Sequence, residues 1–142
     1  MSALHTRLDA FLRVVELDEQ AATSAHAASL RDLFTARARV EELRAELQRD
    51  RRARGRIEEF MVIELERQRL VEGLRAAEAL IAKAEKLEQE KRQELSVAHR
   101  KAESIRRAIE RLRGEQIREI NRKEVRELDE IAISRHQRAA TG

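Results

Sequence analysis

The sequence predicts an all-α protein: a long antiparallel two-helix coiled coil, a helical hairpin with a longer C-terminal helix. Three observations carry that expectation. Of 142 residues, 40% are charged and 2% aromatic, with no Pro, Cys, Trp or Tyr. A compact core draws on large aromatic side chains, and here only Phe11, Phe34 and Phe60 exist. Apolar residues also recur every three or four positions along most of the chain, the signature of long helices and coiled coils. Lastly, one stretch without a large apolar residue separates two such runs.

The first run passes Leu4, Leu8, Phe11, Val15 and Ala22, slips by four residues, and continues through Ser29, Leu33, Ala36, Val40, Leu43 and Leu47. That spacing marks one helix face, and the slip resembles the stutters of coiled coils. The separating stretch is QRDRRARGR, Gln48 to Arg56, with Gly55 as its natural turn residue. Gly73 competes for the turn and would make two arms of nearly equal length. The second run takes in Phe60, Ile63, Leu70, Leu74, Ala77, Ile81 and Ala84. Beyond them come Leu95, Ala98, Ala102, Ile105, Ile109 and Leu112, with Arg67, Glu88 and Lys91 interrupting. Asp9 with Arg13, Glu88 with Arg92 and Glu103 with Arg107 add i,i+4 support. The expected organisation is therefore one coiled-coil domain over 1–142, with helix 1 at about 4–50, a basic turn at about 51–56 and helix 2 at about 57–138.

Folding back near residue 54 pairs Leu4 with a position near 104, so everything after Ile105 lacks a partner in its own chain. Yet the pattern persists. Ile109, Leu112, Ile117, Ile120, Leu128 and Ile131 would line an exposed face, and an uncovered apolar stripe marks an interaction site. At 100° per residue, Ile117, Ile120, Leu128, Ile131 and Arg135 cluster on one side, while Asp129 and Glu130 point to either side of the opposite face. Another protein gripping the helix all round would use both faces. Two plainer readings stand beside this one. The two acids could be ordinary solvated surface, or a turn nearer Gly73 could give a longer self-paired hairpin that covers the stripe.

Composition narrows the function classes. Net charge is +3, but 27 acids interleave with 30 bases, which gives little support for binding nucleic acid or membrane by bulk charge. Arg49, Arg51, Arg52, Arg54 and Arg56 form a basic hairpin tip, suited to an acidic partner, to anionic headgroups, or simply to a soluble turn. Without interleaved aromatic residues to stack bases, nucleic acid is not expected there. The histidines at 5, 26, 99 and 136 lack ligand spacing and read as surface residues. Neither a phosphate-binding glycine loop nor a cysteine exists, so no cofactor or metal is expected. A two-helix rod offers no concave, dry pocket for catalysis, and no enzyme is expected. Neither a membrane span nor a signal peptide is read, which points to the cytoplasm.

The chain closes on RKEVRELDEIAISRHQR, and it opens with LDAFLRVVELDEQAA, Leu8 to Ala22. The closing segment is a basic stretch, then the core Leu128, Asp129, Glu130, Ile131 and Ala132, then spaced arginines at 135 and 138. On these residues the sequence resembles the flagellar FliJ family, soluble coiled-coil components of the bacterial flagellar type III export apparatus. The resemblance implies an antiparallel coiled coil like the stalk subunit of rotary ATPases, its termini entering the pore of a hexameric export ATPase and stimulating it. It also implies contact with the cytoplasmic domain of the export gate, recycling of export chaperones, and a cytoplasmic location at the inner-membrane export apparatus. Membrane association would then be at most peripheral. Carried over residue by residue, ATPase docking falls on Arg126, Leu128, Asp129, Glu130, Ile131, Ala132, Arg135 and Arg138, and on Phe11, Leu12, Val15, Glu16 and Glu19 of the opening helix. The alternatives are an injectisome type III secretion stalk, which shares the architecture, and a self-associating structural coiled coil with no ATPase partner.

Overall fold

The computed structural model describes residues 3–49 and 55–141, with side chains from residue 7 onward. Two helices account for nearly all of them: α1, Ala3–Gln48, and α2, Ile57–Thr141, packed against each other as a helical hairpin with the longer helix second. No strand occurs among the described residues.

The break falls where large apolar side chains run out. Beside it, Gly55 adopts φ +86°, a left-handed conformation that costs a Cβ-bearing residue and costs glycine little. Phe60 N–H donates to the Arg56 carbonyl at 3.2 Å, closing the first turn of α2. Glu58 and Glu59 set negative charge against the positive end of the helix dipole. Gly73, the competing turn position, lies inside α2, which runs through it unbroken.

Two compact units divide the chain. In the unit spanning Asp18–His99, cross-helix ion pairs run in opposite chain directions: Glu19 with His99, Arg37 with Glu85 and Arg44 with Glu78. Val40, Leu43 and Ala77 are its buried apolar centre, with Leu70, Leu74 and Ile81 against them. Leu33 and Ser29 are also buried. The other unit combines Met1–Leu17 with Arg100–Gly142. Val15, Ala102 and Ile109 are buried there, and Glu16 meets Arg106 at 3.3 Å.

Three sequence expectations are corrected. Ile109 is not on an open face: it is only 4% exposed, and Leu112 is half-buried. The reason is which residues stand opposite each other. Folding back near residue 54 would face Glu16 with a position near 92, but Glu16 meets Arg106, so α1 lies against a stretch of α2 further toward the C-terminus. Unbroken exposure begins at Glu115 and runs to Thr141. Phe11 and Phe60 were assigned to the seam, but both are exposed. Lys101 places its ammonium 6.0 Å from the Phe11 ring centroid, a cation–π geometry that suits a ring at the surface. His26 is no surface residue: its side chain is 18% exposed and faces Glu88, itself 11% exposed.

Candidate docking surfaces

The segment of α2 from Glu115 onward is exposed at every residue to Thr141, with no cover from the other described side chains. It is about 40 Å long at the rise of an α-helix. Along it Ile117, Ile120, Val125, Leu128, Ile131 and Ile133 are between 49 and 65% exposed. The intervening charges hold the helix rather than cover the stripe. Glu119 pairs with Arg122 and with Arg126, each at 3.6 Å, and Arg118 Nε donates to the Gly114 carbonyl at 3.4 Å. Near the end, Thr141 Oγ1 donates to the Gln137 carbonyl at 2.9 Å, satisfying one of the orphan acceptors of the last turn.

All eight residues of the closing motif lie on this exposed segment. Arg126 is engaged by Glu119, whereas Asp129 and Glu130 make no ion pair among the described residues. A shallow groove along one side of the helix is lined by Glu127, Glu130, Ile131, Ser134, Arg135 and Arg138. It joins one acid of the motif, its central isoleucine and both following arginines. Asp129 falls outside that groove. The surface offers apolar contact framed by both signs of charge, which is the chemistry of a protein interface.

The opening helix is differently placed. Val15 is buried, Leu12 half-buried, and Glu16 Oε1 accepts from Arg106 through both Nε and a terminal nitrogen, at 3.4 and 3.3 Å. Glu19 Oε2 meets His99 Nδ1 at 2.8 Å. These side chains are therefore engaged within the hairpin, and of the proposed set Phe11 is the one left well exposed, beside Val14 and Leu17. The C-terminal motif does not pack on them. Of the basic tip, Arg49 and Arg56 are exposed, while Arg51, Arg52 and Arg54 lie outside the described residues.

A further surface escaped the sequence reading. Ile57, Phe60, Met61, Val62 and Leu65 are all exposed at the start of α2, wrapping most of the side turned away from α1. The signal was available: IEEFMVIEL holds six large apolar residues in a span where one helix face can bury only two or three. Among the described residues no group of His, Cys, Asp or Glu could hold a metal ion, and no helix is long and apolar enough to cross a membrane.

Comparison with known proteins gives one result. A family model described as "Flagellar FliJ protein" matches residues 4–141. No curated protein matches the chain. No solved structure does either.

Proposed function

The chain belongs to the flagellar FliJ family of flagellar export-related coiled-coil proteins, and from that premise we propose that it acts as a stalk for the hexameric export ATPase. Its exposed C-terminal helix enters the ring, and contact there stimulates hydrolysis by the partner; the chain itself catalyses nothing. The observation that carries this reading is the uncovered segment from Glu115 to Thr141, with an apolar stripe and acids on other faces. A ring enclosing a helix covers every face at once, which suits a helix with chemistry all round. Leu128, Ile131 and Ala132 would supply apolar contact. Asp129, Glu130, Arg126, Arg135 and Arg138 would set rotation and register through ion pairs. In the opening helix, Phe11 and Leu12 would add contact, while Val15, Glu16 and Glu19 would act by holding that helix in place.

The exposed apolar surface at Ile57 to Leu65 suits a second partner, which we assign to the cytoplasmic domain of the export gate, with export chaperones as further clients of the hairpin. The setting would be the cytoplasmic face of the inner membrane. Titration into the cognate flagellar export ATPase tests the reading. Hydrolysis should rise with added protein and lose that rise when Asp129 and Glu130 are both reversed to Lys. No stimulation at saturating native protein would remove the stalk role. It would favour a self-associating coiled coil, which sedimentation would reveal as a dimer or tetramer.

A further inference from the structure

We infer that His26, Glu88 and Arg92 form a polar lock that fixes the register of the hairpin, a role independent of the export reading. The seam of this unit is rich in alanine and in interchangeable aliphatic residues: Ala22, Ala36, Ala77, Ala84 and Ala98 stand among Leu, Ile and Val. Such a seam accepts a seven-residue slip cheaply, because one aliphatic contact replaces another. A polar residue at a seam position removes that freedom by fixing which partner must stand opposite.

The geometry meets this requirement. His26 Nε2 lies 3.1 Å from Glu88 Oε1, between the two helices. Arg92 donates to the other carboxylate oxygen, Oε2, at 2.8 Å, reaching in from a largely exposed position. Buried Ser29 donates to the His26 carbonyl at 2.7 Å, so its hydroxyl is satisfied beside the pair. Both carboxylate oxygens are thus occupied, and the His26 contact exists in one register only. Sliding α2 by seven residues would set Ile81 or Leu95 near His26, stranding the imidazole and leaving Glu88 with Arg92, which moves with it on the same helix, but without its partner on α1. A buried polar group without its partner is penalised far more than a made pair is rewarded.

The chain has no cysteine, so spin labels can be placed at will. Thr35→Cys and Lys83→Cys put one label at an exposed position on each helix. The inter-label distance distribution should show a single peak. In the double variant His26→Leu with Glu88→Leu, helicity and melting temperature should hold or rise. The distribution should gain a second population at longer distance, because seven helical residues carry the label on α2 about 10 Å along the helix axis. That population should grow roughly tenfold or more, the ratio expected when one stranded buried polar group no longer opposes it. Glu88→Gln, which still accepts from the imidazole, should keep one peak. Should the leucine variant self-associate, His26→Ala with Glu88→Ala carries the same readout. One unchanged peak in either double variant overturns the lock, and a lower melting temperature with that single peak would make the pair a plain stabilising contact.

Discussion

Leucine-to-alanine changes at positions 43 and 128 separate what holds the hairpin from what the hairpin presents. Leu43 is 7% exposed, against Val40, Ala77 and the flank of Gly73, where its Cδ2 lies 4.0 Å from the position a Cβ would take. Removing its side chain loses about 2 kcal/mol of transfer free energy, plus a cavity contribution. The seam is only two helices thick and its neighbours can settle inward, so the low end applies, about 2–3 kcal/mol in total. Leu128 is 65% exposed, so the same substitution removes little buried surface. Alanine is also the better helix former, and the expected change is within about 0.5 kcal/mol of zero. Urea unfolding followed by helical circular dichroism measures both. ATPase stimulation should reverse the order, with Leu128→Ala weakening it and Leu43→Ala sparing it wherever the protein remains folded. An equal loss of stability at the two positions would refute the argument, because Leu128 would then be covered in the free protein.

Other outcomes follow from single sites. Gly114→Ala should stabilise α2 by about 1 kcal/mol, since the added methyl meets only the flexible end of Arg118, at 3.7 Å. Gly55→Ala should cost on the order of 1 kcal/mol, because φ +86° strains a residue with a Cβ although none of the described residues stands within 4 Å; thermal melting reads both. The hydrogen bond from His26 is the main cause that holds the Glu88 carboxyl below the ordinary carboxylate range; burial opposes it, and the hydrogen bond and charge of Arg92 add to the lowering. A lowered value in the folded state means that Glu88 contributes stability above about pH 4.3, the ordinary glutamate value, and loses it as pH falls through the lowered one. Urea midpoints across that acid range should therefore flatten in Glu88→Gln. Arg44→Ala removes a 3.6 Å pair with Glu78 and a 2.9 Å pair with Glu41, all half-exposed or more, and it should lower the stability read from urea unfolding by less than about 1 kcal/mol, less still in high salt.

The helices and their face were legible because a two-helix seam depends on little beyond periodicity. Val15, Leu33, Val40, Leu43, Ala77 and Ala102 fall buried at the positions where spacing put them. The end of pairing was misplaced because spacing along one helix says nothing of which residue stands opposite on the other, and one face looks alike before and after Leu112. Glu88 read as an interruption because charge at a seam position has no partner in a one-dimensional pattern. Its partner lies 62 residues away, on the other helix. Phe60 was drawn into the seam by its chemistry, although Ile63 alone satisfies that turn. The closing motif was legible as a pattern of residue types. The groove joining Glu130 and Ile131 to two arginines required the helix to be drawn in space.

The hairpin's cross-helix pairs span unequal lengths of chain, and that inequality has a kinetic meaning. His26 meets Glu88 across 62 residues, Glu19 meets His99 across 80, and Glu16 meets Arg106 across 90. Loop-closure entropy grows with the length closed, so contacts nearest the turn form most readily and later ones extend from them. The hairpin should therefore zip from Gly55 outward and fray from its open end inward. During synthesis the opening helix also leaves the ribosome long before its partner does. The first residues made are the last to be covered, and Phe11, Val14 and Leu17 spend that interval with the whole apolar face of α1 open beside them.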